Sequence, residues 1–434
     1  MTKLDGKRVL LVSTTVGYQI RSFGEAASRH GVRLVFASDR CDQLEDPWCD
    51  SAIPIRFHDE SRSVAAIVSA CGNTPIDGII AVGDRPAVLA ARVAHALGLP
   101  GHPPKAAGIS RNKLLTRRAL TAAGLPVPWF DVVSVDESAD GVADRVPYPA
   151  VVKPLALSGS RGVVRVDDAA QCATALARLR ALLLAPDVRI ERDEAHELAL
   201  IESFVPGVEY AIEGVLTRGA LQVLAIFDKP DPLDGPFFEE TIYRTPSIAR
   251  SATQRRIVMA VEAAAAAIGL HHGAVHAECR VNDEGVFVLE VAARPIGGLC
   301  SRALRFGGGG AGTGEALSLE DLLVRHSLGE DVSGCARESR ASGVMMIPIP
   351  RRGLYRRVEG VKEARAVVGI EDVLITAKPD SPIVPLPEGR SYLGFMFAHA
   401  TEPTAVDRAL RDAHARLHVV IDREVEVLPQ QPRE

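Results

Sequence analysis

The sequence predicts an α/β protein built in several units, and three observations carry that reading. The first hundred residues alternate short apolar runs with helix-like stretches, the pattern of a doubly wound parallel sheet. A second alternating region opens near residue 147 with two strand-like runs joined by a Ser/Gly loop, and a final piece from about residue 342 mixes strands, a Pro-rich span and an amphipathic helix. At 434 residues the chain has room for about two to four structural units.

In order along the chain, strands are expected at 8–12, 32–37 and 78–82, where aliphatic residues run together. A helix at 85–97 is stopped by Gly98 with Pro100 close behind. The turn after the first strand reads STTVGYQIRSFG, with neither GxGxxG nor a P-loop lysine, so no dinucleotide is assigned there. The segment LGLPGHPPKAAG marks the first boundary, after which RNKLLTRRALTAAG restores helical periodicity. YPAVVKPLALSGSRGVVRV reads as a hairpin with a mobile tip, followed by a helix at 169–184, a strand at 198–202 and an Ala-rich helix at 253–268 capped by Gly269. The glycine tract 307–314 reads as a flexible loop. The tail holds strand-like GVMMIPI, a Pro-rich span at 378–387, strand-like YLGFMFAHA and a helix at 406–417, and no internal repeat is evident.

Composition narrows the classes. Fifty Lys plus Arg against 55 Asp plus Glu leave a net charge of −5, which argues against binding a nucleic-acid backbone. With 47% hydrophobic and 24% charged residues the chain can bury a large core, and disorder or a fibre is excluded. Seven scattered cysteines without a CxxC pair indicate neither a disulfide framework nor a zinc ribbon, and reduced thiols in a cytoplasm are the simplest reading. The N-terminal apolar stretch is too short for a signal peptide or a membrane span. A cytoplasmic protein with no membrane partner is expected, and a homodimer is the default oligomer.

The sharpest constellation lies in GAVHAECRVNDEGVFVLEVAARPIGG, residues 273–298. If 283–285 form a three-residue hairpin loop, Glu278 falls opposite Glu290. One face then carries His276, Glu278 and Arg280 against Ala292, Glu290 and Val288; the other carries Val275, Ala277, Cys279 and Val281 against Phe287, Leu289 and Val291. Like charges directly opposite are destabilising unless a cation lies between them. Hard oxygen ligands of this kind suit Mg²⁺ together with substrate phosphates; the alternative is a solvated face neutralised by Arg280. Arg294, four residues after Glu290, offers a planar fork to a carboxylate or phosphate, against the plainer reading of a surface cation. Lys153 stands in the apolar run AVVKPL, where an unpaired ammonium is costly to bury, so it either faces an anion or snorkels at an edge. The loop SGSRG beside it can present backbone N–H groups to phosphate, although most Gly-rich tips are only turns. In ALIESFVPGVEYAIEG a strand end, a tight backbone segment and Glu209 are placed to meet an adenine edge and ribose hydroxyls, or are simply a connection.

Taken together, LGLPGHPP and RNK, VVKP with SGSRGV, ESFVPGVEY, then HAE and LEVAARPIGG, in this order over nearly the whole chain, resemble the ATP-grasp superfamily of carboxylate–amine ligases. The resemblance implies an α/β ATP-grasp fold: an N-terminal Rossmann-like domain at 1–104, a central ATP-grasp domain at 105–340 with a mobile lid near 150–215, and a small C-terminal α+β domain at 341–434. It implies that Lys113 and Lys153 hold ATP phosphates under a loop containing Ser158, Gly159, Ser160, Gly162 and Val163. Glu202 with the Phe204 and Val205 backbone would bind adenine, Glu209 the ribose, Glu278 and Glu290 the metal (Mg²⁺, with Mn²⁺ as the alternative), and Arg294 the reacting phosphoryl and carboxyl groups. Many members carry Asn where this chain has Ala292, which leaves a second metal short of a ligand.

KPDPLDGPFFEETIYRTPS at 229–247 and the tail motifs resemble the L-amino-acid ligase group, which joins amino acids into dipeptides. The implied chemistry is phosphoryl transfer to a carboxylate, then attack by an amine on the acyl phosphate, with ADP and phosphate released. His276, on the open face, is assigned to the substrate or to deprotonation of the amine, with support of the acids as the alternative reading. Glu239 and Glu240 are expected to be solvated loop charges, with binding of a substrate ammonium group as the alternative reading. Two other readings stand beside this one: a relative acting on formate or bicarbonate, as in purine-pathway or biotin-dependent enzymes, and a nucleotide-binding regulatory protein without catalysis.

Overall fold

The computed structural model of the chain describes residues 4–14, 19–39, 52–72, 74–308 and 316–423. Residues 15–18 of the first turn, Cys41 and residues 309–314 of the glycine tract lie outside the described residues.

The N-terminal part is a four-stranded parallel sheet in the order Ile53–Pro54, Arg33–Ser38, Arg8–Ser13, Gly78–Val82. Arg8–Ser13 is buried along nearly its whole length, as a central parallel strand covered on both faces must be. Helix Asp84–Leu97 leaves the C-terminal end of strand Gly78–Val82 through Gly83 at φ 103° and is closed by Gly98 in the left-handed conformation. That exit sets Asp84 at the edge of the sheet where α/β proteins bind ligands.

Helix Pro104–Arg111 leads into helix Lys113–Ala122, whose N-cap Asn112 accepts from the Leu115 amide at 3.2 Å. A four-stranded antiparallel sheet follows in the order Phe130–Ser134, Leu198–Ser203, Ala150–Pro154, Val164–Val166, with helix Ala169–Leu183 packed on it. The expected hairpin is strands Ala150–Pro154 and Val164–Val166, paired antiparallel.

The largest element is an eight-stranded antiparallel sheet: Val286–Ala292, Gly273–Val281, Val208–Thr217, Ala220–Asp228, Ile242–Thr245, Ala341–Ile347, Gly394–Ala400, Ile370–Ile375. Helix Ser251–Ile268 backs its first half through Ile257, Val261 and Ala264, and helix Pro403–His414 its second half through Val406 and Leu410. The tail is thus stitched into the central sheet, and only Gly353–Glu359, Ser381–Ile383 and His418–Asp422 form a separate three-stranded sheet. The last helix begins at Pro403 rather than 406 because proline is pre-organised for the first helical position. Among the described residues no helix is long and apolar enough to cross a membrane.

The hairpin of the two glutamates differs from expectation in an instructive way. Its loop has four residues, since Val281 pairs with Val286, and a bulge follows Glu278 so that Cys279 pairs with Val288. The two departures cancel, and Glu278 still lies opposite Glu290. The faces beyond the bulge are exchanged: Val286 and Val288 join the core, and Leu289 turns outward to the cavity described below.

One buried charge joins these sheets. Arg117, on helix Lys113–Ala122 and 1% exposed, donates through Nε to Glu202, through Nη1 to the Val288 carbonyl at 3.1 Å and through Nη2 to the Leu289 carbonyl at 2.9 Å. Glu202 also pairs with Lys153. Burial opposes ionisation of Glu202, but Arg117 and Lys153 outweigh it and hold its pKa down to about 2. Arg117→Met, which keeps the volume but strands two carbonyls and half of the Glu202 pairing, is expected to cost about 3–5 kcal/mol in urea unfolding. Because the folded-state value of Glu202 lies below its unfolded value of roughly 4.3, its contribution is full above that pH and is lost as pH falls toward about 2. The stability gap between wild type and Glu202→Gln should therefore shrink by about 3 kcal/mol on going from pH 5 to pH 2, and a constant gap would refute the assignment.

Candidate active site

The two antiparallel sheets and the tail enclose a cavity of about 300 Å³. On one wall are Lys113, Lys153, Ser158, Gly159, Ser160 and Val163, with Glu202, Phe204 and Val205 at its end. The opposite wall holds Glu209, His276, Glu278, Glu290 and Arg294. Gly162, in the same loop, is not among the lining residues; its φ of 75° favours glycine, and its amide donates to the Pro387 carbonyl at 2.8 Å.

On the first wall, Lys113 opens its helix and donates to the Leu157 carbonyl at 2.8 Å, with its Nζ 3.5 Å from Glu290. Lys153 is buried, which lowers its pKa, while Glu202 beside it acts in the other direction. The backbone is left-handed at Gly159 (φ 65°) and Ser160 (φ 55°), the kind of turn that folds successive amides into an anion-binding concavity. Because its carboxylate is taken up by Arg117 and Lys153, Glu202 serves to aim the lysine, which leaves the backbone at 204–205 as the edge that can face a purine.

On the second wall the carboxylates are tied by one lysine. Lys229, 5% exposed, donates to Glu209 at 2.8 Å, Glu240 at 2.5 Å and Glu278 at 3.0 Å, with the Tyr243 ring at 4.9 Å. Burial disfavours the Lys229 charge, but the three carboxylates more than compensate and hold it well above the ordinary lysine value. Tyr243 donates to Glu240 at 2.8 Å and to Glu278 at 3.1 Å. Glu209 is also bound by Arg280 Nε at 2.9 Å, and Arg280 reaches the Val205 carbonyl and lies over the Phe204 ring. Glu240 is not the solvated loop charge expected from sequence: it is half-buried at the cavity against Lys229, and desolvation with Glu278 nearby pushes its carboxyl up to about 7.

His276 bridges two acids, with Nδ1 3.1 Å from Glu213 and Nε2 3.7 Å from Glu278. Burial opposes its charge, yet Glu213 and Glu278 outweigh it and raise the ring to about 9. A ring so placed is a cationic brace for Glu278, and the geometry favours the supporting role over the proton-accepting one. Arg294 reaches across to the N-terminal sheet, its Nε donating to Asp84 at 2.8 Å. Burial would disfavour ionisation of Asp84, but Arg294 holds its carboxyl below the usual carboxylate range.

The donor set fits a hard cation. Glu278 and Glu290 face each other on adjacent strands and both open to the cavity. The tighter group Glu209, Glu240 and Glu278 already has the Lys229 ammonium among its oxygens, with Arg280 on Glu209 and His276 beside Glu278, so cations of the chain itself occupy the place a metal would take. Ala292, buried beside His276, offers no further oxygen. Lys229, Tyr243, Glu213, Asp84 and Arg117 escaped sequence reasoning. The signal for Lys229 and Glu213 was the one used for Lys153, a charge in an apolar strand run (ALQVLAIFDK and AIEGVL).

Comparison with known proteins gives three family matches in chain order: the ATP-grasp N-terminal domain over residues 24–101, the ATP-grasp domain over 146–303 and the L-amino acid ligase C-terminal domain 2 over 345–422. The chain is 26% identical over 329 residues to the uncharacterized protein y4rH of Sinorhizobium fredii, covering 74% of this chain and 63% of that one. It is 29% identical over 319 residues to carnosine synthase 1 of Gallus gallus, covering 69% and 33%. The chain therefore spans less than two thirds of the length of these relatives. Among solved structures, the L-amino acid ligase from Bacillus licheniformis superposes with a TM-score of 0.80 at 26% identity, over 97% of this chain and 100% of that one. With the three matched segments in order and the likeness running over the full length of that ligase, the chain belongs to the ATP-grasp superfamily, in the group that carries the L-amino acid ligase C-terminal domain.

Proposed function

We propose that this chain is an ATP-dependent carboxylate–amine ligase that forms an amide, most directly a peptide bond between two amino acids. The observation that carries the reading is the facing of Lys113, Lys153 and the 158–163 loop on one wall with Glu278, Glu290 and Arg294 on the other wall of one cavity. The likeness to the L-amino acid ligase and to carnosine synthase supports amino acids as both partners. So does the cavity lining, where Ile296, Met346 and Tyr392 add apolar surface that can meet a side chain.

In this reading the lysines and the loop amides bind the ATP phosphates, and the purine lies along the 204–205 backbone with its ribose toward Glu209. A carboxylate oxygen of the first amino acid attacks the γ-phosphorus, the bond to ADP breaks, and an acyl phosphate forms. The amine of the second amino acid then attacks the carbonyl carbon, phosphate leaves and the amine gives up a proton. Charge accumulates on the transferred group, where Lys113, Lys153 and Arg294 stand ready to stabilise it. Glu278 and Glu290 would hold Mg²⁺, which when bound neutralises phosphate charge and screens the two carboxylates from each other. Closure of the loop keeps water from the acyl phosphate. We place the protein in the cytoplasm, a compartment compatible with the five unpaired, buried cysteines of the described residues.

ADP release with ATP and Mg²⁺ should require a carboxylate and rise with amino-acid pairs, a product of dipeptide mass should appear, and hydroxylamine should intercept the intermediate as a hydroxamate. ADP release that ignores every carboxylate offered would overturn the reading. Glu290→Ala and Arg294→Ala should each lower kcat by about 100-fold or more with the circular-dichroism spectrum retained. Arg294→Lys, which keeps a cation for Asp84 but loses the planar fork, should remain folded and equally slow. Wild-type turnover in any of the three would remove that residue from the chemistry.

A further inference from the structure

The 158–163 loop is fastened to two segments that run on into the cavity lining, and one arginine touches both. From the tail, the turn at 385–389 is drawn tight, with the Gly389 amide donating to the Pro385 carbonyl at 2.9 Å and no room for a Cβ at Gly389 beside the Val384 carbonyl. Its Pro387 carbonyl accepts from Gly162, and its Glu388 carbonyl accepts from Arg161 Nε at 3.0 Å. The next residues of the same turn, Arg390, Ser391 and Tyr392, line the cavity, and the Leu393 amide anchors it to the central sheet through the Ile347 carbonyl at 2.9 Å. From the other side, residues 234–236 accept from the loop's second strand, the Arg165 amide reaching the Pro236 carbonyl and Arg165 Nη1 the Asp234 carbonyl, both at 2.8 Å. That segment runs straight on to Phe238, Glu240 and Tyr243 in the cavity wall.

Arg178, on helix Ala169–Leu183 of the same subdomain, sits at the junction. Its Nη2 donates to Glu388 at 2.9 Å, Nε makes the second bond of a bidentate pair, and its guanidinium lies 4.9 Å from the centre of the Phe237 ring. Arg178 therefore clips the subdomain that carries the 158–163 loop to both segments that would meet the amino-acid substrates.

We propose that Arg178 and Glu388 are positioning residues that couple closure of the 158–163 loop to occupation of the amino-acid end of the cavity, so that ATP is committed only when an acceptor is bound. This rests on the ligase reading. Neither side chain touches the nucleotide or the reacting atoms. Their effect runs through the tight turn at 385–389, which cannot move at Arg390–Tyr392 without moving Pro387 and Glu388 against the loop.

The test is a charge swap at this partly exposed pair, which leaves the core untouched. In the full chain, Arg178→Glu, Glu388→Arg and the double exchange are compared with wild type by two readouts. One is the amide formed per ADP released with an accepted amino-acid pair. The other is the dissociation rate of a fluorescent methylanthraniloyl ADP with Mg²⁺, with and without that pair. Each single reversal should lower the coupling ratio and speed nucleotide release by about 3- to 10-fold, abolishing the slowing by amino acids, while the thermal midpoint stays within a few degrees; the double exchange should recover both readouts. Single variants that couple and release as wild type does, or a folded double exchange that recovers neither readout, would overturn the proposal. If wild type releases no ADP with any carboxylate, the ligase reading falls on its own, and the nucleotide release rates still decide whether the pair holds the loop.

Discussion

Arg117 donates its guanidinium to a carboxylate on one sheet and to two carbonyls on the edge strand of another, from a helix that belongs to neither. A charge with no access to water is tolerable only where each donor has a partner, so the three elements can meet in one arrangement alone. Two consequences reach the site. Lys113 stands four residues before Arg117 on the same helix, hence on the same face, and fixing one places the other over Glu290. Glu202, held by Arg117, in turn holds Lys153. Both cationic side chains of the first wall are thus located by one buried arginine that never meets a substrate in the proposed reaction.

The second wall solves the opposite problem, an excess of negative charge. Glu209, Glu240 and Glu278 converge on Lys229, while Glu213 and Glu278 share His276. Each of these carboxylates has a fixed cation, whereas among the described residues Glu290 is paired with Lys113 at 3.5 Å, with Arg294 nearby, and faces the cavity. The strand pair therefore presents one braced carboxylate and one loosely held one. That asymmetry suits a metal bound through one or two carboxylates and completed by phosphate oxygens, which is how Mg²⁺ is ordinarily held. Ala292 adds no donor at the place where another oxygen ligand would have stood, so any second ion would depend all the more on the phosphates.

The parts of this architecture that sequence made legible are those fixed by local periodicity. Alternation along 273–292 was enough to pair Glu278 with Glu290, although the route was wrong: a four-residue loop and a bulge replace a three-residue loop, and their register shifts cancel. Strand Gly78–Val82 and the glycine stops of helices Asp84–Leu97 and Ser251–Ile268 were equally readable, since a strand run and a left-handed cap are local properties. What escaped depends on distant partners. In RNKLLTRRAL nothing marks Arg117 as the buried cation rather than Arg118, and the pairing of Glu240 exists only because Lys229 and Tyr243 converge on it in the fold. The tail was legible as a unit, matching a C-terminal domain over 345–422, but its pairing into the central sheet was not, since Ile242–Thr245 and Ala341–Ile347 lie about a hundred residues apart and the pairing leaves no local trace.

That stitched tail bears on how selectivity and chemistry are divided. The lining that would hold phosphate is drawn from the helix at 113, the hairpin at 150–166 and the strands at 273–292, whereas Met346, Arg390, Tyr392 and Phe395 are contributed by the tail. Met346 and Phe395 can change without disturbing the carboxylates proposed to act with ATP, because they share the eight-stranded sheet with Glu278 and Glu290 but none of their ion pairs. The sheet is also why they cannot drift: Ala341–Ile347 and Gly394–Ala400 are hydrogen-bonded into the same continuous ladder as the strand of Glu278. In the proposed reaction, a substrate held against Met346 or Phe395 would therefore meet the carboxylates at a distance set by strand spacing rather than by side-chain length.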